Sequence, residues 1–174
     1  MKKILVPAVI VPALFVLAVL WAAPERKYTG ASSCKLCHKA PLQGRQYAIW
    51  QESAHARSFA SLSTEAAAAI AKDAGIADPA ASPYCLNCHA PLADKAPELK
   101  AEGVSCEVCH GAGSAYKKLA VMEDRDKAVQ SGLAAFPNAS AIQASCLACH
   151  ESAHGTAFDF DKAWAAVKHP VPSR

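Results

Sequence analysis

The residues of this chain that point most directly to chemistry are four cysteine pairs, each with two residues between the cysteines and a histidine directly after the second. They are Cys34 and Cys37 with His38, Cys85 and Cys88 with His89, Cys106 and Cys109 with His110, and Cys146 and Cys149 with His150. Two thiols at this spacing lie about one helical turn apart and can bond to the two vinyl groups of one porphyrin. The adjacent imidazole then supplies the first axial ligand of the iron. Each motif therefore predicts one covalently attached haem c, and the chain predicts four.

Paired cysteines also occur in zinc sites, redox dithiols and disulfide scaffolds, and an even number of cysteines suits all of these. None of these alternatives requires a histidine after the pair. The chain has 8 cysteines and 7 histidines among 174 residues, yet a histidine follows every pair and no cysteine lies outside the motifs. This recurrence favours haem attachment over a zinc ribbon or a disulfide framework.

The N-terminus carries the elements that would bring such motifs to the compartment where haem is attached. Residues 4–23 are almost entirely apolar and follow Lys2 and Lys3, as in a secretory signal or a membrane anchor. The run is close to the length of a bilayer span, and its end offers a poor cleavage site, which favours a retained anchor; a cleaved signal stays the alternative. We expect residues 1–23 to be this anchor or signal, and residues 24–174 to form a tetrahaem domain on the periplasmic side of the inner membrane.

The composition predicts a domain with little apolar core of its own. Aromatic residues make up only 7% of the chain, so small side chains packed against porphyrins are expected to replace a conventional core. Short helices are predicted over residues 64–74, 124–131 and 161–168, with glycine- and proline-containing loops between them. The predicted fold class is all-α and irregular, with helices and loops wrapped around four haems. The formal net charge of +3 would be offset by haem propionates, so no nucleic-acid partner is expected.

A low-spin haem also needs a second axial ligand, usually histidine or methionine. Apart from Met1, the residues outside the motifs that offer one are His55, His154, His169 and Met122. Each has an ordinary interpretation as well: a surface histidine, a histidine at a helix C-terminus or a core methionine. Four irons compete for these four side chains, which favours their use as ligands. A His/Met haem would have a higher reduction potential than a bis-His haem.

Three stretches of sequence resemble the tetrahaem cytochrome c-554 family. Tyr28-Thr29-Gly30 precedes the first motif, Trp50-x-x-Ser53-x-His55-Ala56 follows it, and Gly103 to Gly113 surround the third motif. The resemblance is specific from Tyr28 to Gly113 and looser to His169. It implies that His55 ligates the third haem opposite His110, and that His169 ligates the fourth opposite His150. It also implies that the second haem, on His89, is five-coordinate.

The chain departs from this family at the ligand of the first haem. The family places a histidine shortly after the glycines that follow the third motif, but residues 114–126 of this chain contain none. Met122 is the conventional ligand in that stretch, so the resemblance suggests the pair His38 and Met122. His154 is the competing ligand.

Three functions are consistent with these residues. The first is transfer of single electrons between a membrane or periplasmic donor and an acceptor, which needs no acid-base residues. The second is reduction of nitric oxide, nitrite or hydroxylamine at an open iron on His89, with His154, Arg57 or Lys95 as conceivable proton donors or cations. The third is a subunit of a redox complex, or an oligomeric haem filament that shares a ligand between molecules. The sequence favours an electron carrier with redox-protein partners over an enzyme.

Overall fold

A computed structural model describes residues 25–151 and 155–171, and these residues form short helices without any β-strand. The α-helices are α1 Ala31–His38, α2 Gln46–Glu52, α3 Ser58–Ser61, α4 Glu65–Asp73, α5 Pro83–His89, α6 Cys106–His110, α7 Leu119–Met122, α8 Arg125–Gln130, α9 Ala139–His150 and α10 Phe160–Val167. Short 3-10 helices cover Pro41–Gln43, His55–Arg57 and Pro97–Glu102. The predicted all-α class is confirmed.

The three helices predicted from the sequence all form, and their first residues follow from capping. Thr64 accepts a hydrogen bond from the backbone of Ala67 and so begins α4, as predicted. Asp124 caps α8 in the same way through Lys127. In α10 the cap is Asp159, which accepts from the Lys162 N–H, so the helix begins one residue before the predicted position.

The four cysteine motifs share one structural context. Helices α1, α5, α6 and α9 each end at the histidine of their motif. In each helix the two cysteines and the histidine are spaced i, i+3 and i+4, so they lie on one face of the last turn. Each motif therefore presents two thiols and one imidazole to the same side.

The apolar core of the described residues is small. The buried apolar residues are Ala31, Leu62, Ala71, Ala90, Leu92, Ala96, Tyr116 and Ala128. Most of them are alanines, which bury little surface and contribute little hydrophobic stabilisation. A chain of this length needs a larger buried surface, which large prosthetic groups would supply.

The two stretches that resembled the cytochrome c-554 family around residues 50–56 and 103–113 contact each other directly. The Trp50 indole Nε1–H donates to the Val104 carbonyl at 2.9 Å. The Val104 N–H donates to the His55 carbonyl at 3.0 Å and to the Ser58 hydroxyl at 3.0 Å. These bonds fix the turn that carries His55 against the loop that leads into α6.

Replacing Gly103 by alanine is expected to loosen this junction. Gly103 has φ 65°, and an added Cβ would contact the Ser58 hydroxyl and lie 2.6 Å from the His55 carbonyl oxygen. We expect a loss of about 2 kcal/mol or more in the free energy of unfolding, measured by denaturant titration.

Gly75 provides the matched control for this variant. It has φ 69°, but nothing lies within 4 Å of its added Cβ. Gly75→Ala therefore introduces the backbone strain without the steric conflict, and it should lower the free energy of unfolding by less than Gly103→Ala. Equal losses in the two variants would contradict the role given to the junction.

The N-terminal prediction falls on residues that the structure does not describe. Residues 1–23, the expected anchor or signal, lie outside the described residues. Within residues 25–151 and 155–171, no helix combines the length and the apolar character needed to cross a bilayer.

Candidate functional site

None of the eight motif cysteines forms a disulfide in the part of the chain that the structure describes, and those of the first and third motifs are neighbours. The pKa of Cys34 is lowered, mainly by a hydrogen bond with the Cys106 thiol. The pKa of Cys106 is raised by the same hydrogen bond and then by burial. The attachment points of the first and third motifs therefore lie side by side.

The cysteines of the other motifs continue this arrangement. Burial raises the pKa of Cys149 to about 11, and a nearby Cys88 adds to the shift through its charge and a hydrogen bond. Burial also raises the pKa of Cys109, with a further contribution from Cys146. The third motif thus adjoins the fourth, and the fourth adjoins the second. In space the attachment points follow the order first, third, fourth, second.

Two pairs of histidine rings face each other at a separation that fits an iron between them. The ring centroids of His55 and His150 lie 6.2 Å apart, and those of His110 and His169 lie 5.8 Å apart. A metal–imidazole bond is about 2.0–2.1 Å long and the ring centre lies about 1 Å further, so two rings on one metal have centroids roughly 6 Å apart. Each pair therefore has the spacing of two axial ligands of a bis-His haem.

This pairing differs from the one that the family resemblance implied. The resemblance placed His55 opposite His110 and His169 opposite His150, whereas the structure brings His55 to His150 and His169 to His110. The same four histidines are used with their partners exchanged. The partner depends on how the turn at residues 55–57 and the segment after α10 fold back, which motif spacing does not specify.

The electrostatic environment of these rings favours their neutral form, which is the form that binds iron. The pKa of His110 is lowered to about 4, first by burial and then by the nearby His169 and His38. The pKa of His55 is lowered by burial and then by His150. Burial likewise lowers the pKa of His169. At neutral pH the imidazole lone pairs of these residues are therefore available to a metal.

The other two motif histidines have a hydrogen bond at Nδ1 that sets their tautomer. His38 Nδ1 lies 3.3 Å from the Gln46 side-chain oxygen. His89 Nδ1 lies 2.9 Å from the Ser58 carbonyl and 3.1 Å from the Ser61 hydroxyl. Because these oxygens accept a hydrogen bond from Nδ1–H, each ring keeps the lone pair on Nε2 for the iron.

Replacing Ser61 by alanine should raise the reduction potential of one haem. The Ser61 hydroxyl donates to the Ser58 carbonyl at 2.6 Å and accepts from His89 Nδ1–H, which makes the imidazole a stronger donor and stabilises ferric iron. Loss of a bond worth about 1 kcal/mol corresponds to a shift of roughly 40 mV in a one-electron couple. Spectropotentiometric titration would show one step at higher potential.

Ser63→Ala is the matched control. Ser63 is exposed on the connection between α3 and α4, and no side-chain hydrogen bond joins it to a motif histidine among the described residues. An unchanged titration in Ser61→Ala, or an equal shift in both variants, would refute the role of Ser61.

Glu107, inside the third motif, ties that motif to the first. Its side chain is 1% exposed and accepts hydrogen bonds from the backbone N–H groups of Thr29, Gly30 and Gly113 at 2.6 to 3.0 Å. Glu102 accepts in the same way from the Ala31 N–H at 3.0 Å. Two carboxylates thus lie at the N-terminus of α1, where unpaired N–H groups attract negative charge. They hold the first motif against the third.

Sequence reasoning assigned no role to several residues that support the site. Glu107 lies inside a motif whose cysteines and histidine account for its spacing. Ser58, Ser61 and Gln46 are polar residues of a kind that is common on surfaces, so the sequence did not indicate a contact with a motif histidine. Phe158 stacks on the His150 ring with centroids 4.6 Å apart and planes 13° apart. This contact restricts the rotation of the ring.

The remaining candidates stay predictions. Met122 ends α7, and His154 lies outside the described residues, so the second ligand of the first haem is not decided between them. Arg57, a conceivable cation for enzyme chemistry, instead donates from Nη1 to the Glu52 carbonyl at 2.8 Å. Lys95 is exposed on the connection between α5 and the 3-10 helix at Pro97–Glu102.

Comparison with known proteins agrees with the motifs and the fold. Residues 33–111 match the family described as cytochrome c554 and c-prime. Over 188 aligned residues the chain is 26% identical to cytochrome c-554 of Nitrosomonas europaea, and the alignment covers 98% of this chain and 75% of that protein. No solved structure gives a significant match. The resemblance inferred from the sequence is confirmed.

Proposed function

We propose that this chain is a tetrahaem electron carrier of the cytochrome c-554 family, because residues 33–111 match that family. Covalently bound haem c and a role in electron transfer come with the family. Four haems, one for each cysteine motif, are the further step. Bound haem supplies an iron that changes between the ferric and ferrous states without making or breaking other bonds.

The observation that carries this proposal is the continuity of the attachment points. Cys106 affects the pKa of Cys34, Cys146 that of Cys109, and Cys88 that of Cys149, so the two members of each pair are near each other. This proximity supports one series of motifs in the order first, third, fourth and second. A carrier needs such a series to accept an electron at one end of the molecule and deliver it at the other.

The protein's own residues hold this series and set its properties. His55 with His150 and His110 with His169 supply paired axial ligands, while Gln46, Ser58 and Ser61 orient the proximal rings of the other two motifs. Paired imidazoles and a fixed tautomer keep the ligand set the same in both oxidation states, which favours fast transfer over ligand binding.

The proposal also includes the cellular setting expected from the N-terminus. Residues 1–23 would hold the tetrahaem domain on the periplasmic side of the inner membrane, near a donor and an acceptor whose identities are open. Its support is the apolar run after Lys2 and Lys3 and the compartment in which haem is attached.

Redox titration combined with ligand addition tests this function. We expect four reversible one-electron steps followed by the visible bands of the haems, and no catalytic turnover of nitrite or hydroxylamine. Nitric oxide or cyanide should change the spectrum of one haem at most, the haem on His89, for which the resemblance implied a five-coordinate iron. Catalytic turnover at that iron would instead support the reductase. Spectra that depend on protein concentration would support ligands shared between molecules.

A further inference from the structure

The surface around the first motif combines positive charge with exposed aliphatic side chains. Residues 26–51 contain Arg26, Lys27, Lys35, Lys39 and Arg45 and no acidic residue. The next acidic residue is Glu52, whose carboxylate lies 4.0 Å from the Arg45 guanidinium with both side chains largely exposed. Such a pair is weak in water, so the segment keeps its positive potential.

Three large apolar side chains are exposed on this segment or beside it. Leu36 is 85% exposed, Leu42 is 93% exposed and Val171 is 84% exposed. Leu36 lies two residues after Cys34, on the side of α1 opposite to the face shared by Cys34, Cys37 and His38, so a haem bound there would not cover it. The corresponding residues of the other motifs are Asn87, Val108 and Ala148, none of them an exposed large apolar side chain.

Gln46 brings two of these residues, Leu42 and Val171, to one place. Its side chain contacts His38 Nδ1, the Gln43 carbonyl and, at 3.0 Å, the Pro170 carbonyl. Leu42 and Val171 each adjoin one of these carbonyl residues, whereas Leu36 lies on the other side of α1. Lys35, Lys39 and Lys168 are exposed on the same elements, with Lys35 held over the Tyr47 ring at 5.3 Å. We call these five residues, Lys35, Lys39, Leu42, Lys168 and Val171, the basic–apolar face.

We propose that the basic–apolar face docks an acidic redox protein, which exchanges single electrons with the haem on the first motif. The proposal rests on the proposed function. An apolar centre within a rim of one charge is the composition of a transient interface, where the rim steers the encounter and the centre provides the contact. Cys37, an attachment cysteine, lies between Lys35 and Lys39 along the chain, so a docked partner would lie close to the first haem.

An acidic protein fits this face better than an anionic membrane surface. Membrane-surface segments usually place Trp or Phe beside their basic residues, and the large apolar residues of this face are all aliphatic. Membrane attachment at the face is the competing outcome, and the experiment below distinguishes the two.

The test uses the intact haem-loaded protein with a strongly acidic flavodoxin as the probe. Oxidised flavodoxin reports binding in a calorimetric titration at low ionic strength. Flavodoxin hydroquinone reports electron transfer: its flavin loses one electron to become the semiquinone while one ferric iron becomes ferrous. We expect binding and the second-order rate constant both to fall as salt is added.

Two variants and two matched controls separate docking from general attraction. Lys39→Glu should lower the rate constant about tenfold at low salt, and Leu42→Ser should weaken binding several-fold without changing the salt dependence. Lys72→Glu and Ile70→Ser make the same changes on α4, where both residues are also exposed, and should leave binding near the wild-type value.

Equal effects in the face variants and the α4 controls would overturn the proposal. The wild-type protein could instead bind phosphatidylglycerol vesicles. If Lys39→Glu abolishes that binding but does not change binding to flavodoxin, the face belongs to the membrane. Reduction by dithionite separates this test from that of the function. Full reduction of the protein by dithionite would support the proposed function. If the face variants nevertheless behave as the wild type, the function stands and the docking site is refuted.

Discussion

Replacing His169 by alanine is expected to convert one low-spin iron of the oxidised protein to the high-spin state. The centroids of the His169 and His110 rings lie 5.8 Å apart, so His169 would be the second axial ligand of an iron on the third motif. Water replaces it in the variant and is a weaker ligand than imidazole. Ferric iron loses stabilisation, so the potential of that haem should rise as well. Electron paramagnetic resonance counts the high-spin and low-spin irons. The control Lys168→Ala changes the exposed neighbouring residue and should alter neither the spin state nor the reduction potential.

The same variant distinguishes the two possible pairings when it is combined with loss of a haem. Cys106→Ser with Cys109→Ser removes attachment at the third motif, and Cys146→Ser with Cys149→Ser removes it at the fourth. We expect His169→Ala to add a high-spin signal when the fourth haem is missing and none when the third is missing. The reverse result would restore the pairing of His169 with His150 and contradict the geometry described above.

Replacing Glu107 by alanine is expected to be the most destabilising single substitution among those considered. The carboxylate is 1% exposed and accepts from the backbone N–H groups of Thr29, Gly30 and Gly113. Its removal leaves these donors without their partner, each at a cost of about 1–3 kcal/mol, so the total should be roughly 3 kcal/mol or more. Guanidinium titration followed by far-ultraviolet circular dichroism measures this loss.

Two further substitutions show whether the loss comes from these hydrogen bonds. Glu107→Gln keeps the shape but turns an amide N–H₂ towards backbone donors, so it should recover only part of the stability. Glu98→Ala removes an exposed carboxylate from the 3-10 helix at Pro97–Glu102 and should change the stability by less than about 0.5 kcal/mol. A Glu107→Ala protein as stable as Glu98→Ala would show that Glu107 does not hold the first and third motifs together.

The chemistry of the site could be predicted from the sequence because it depends on local spacing. Cysteines and histidine at i, i+3 and i+4 share one face of any helix, and in the structure all four motifs end a helix at the histidine. Thr64 and Asp124 are capping residues whose effect is also local, so α4 and α8 begin where they were predicted.

The pairing of the histidines could not be predicted in this way. His55 meets His150 from 95 positions away along the chain, and which iron lies beside it depends on the packing of the turns between them. Glu107 was hidden for a related reason: a glutamate inside a motif suggests an exposed position, and only its long-range partners at Thr29 and Gly30 show that it is buried. The small apolar core was foreseen from composition, whereas these polar contacts across the chain were not.

The number of haems bound to each chain is the decisive measurement. Each of the four cysteine motifs is proposed to bind one haem covalently. Haem content from the pyridine haemochrome spectrum, divided by the protein concentration, should therefore give four, and proteolysis should yield four haem-bearing peptides that contain Cys34, Cys85, Cys106 and Cys146. A ratio below four with unmodified thiols in any motif of the mature protein, or haem that acid acetone extracts, would contradict it.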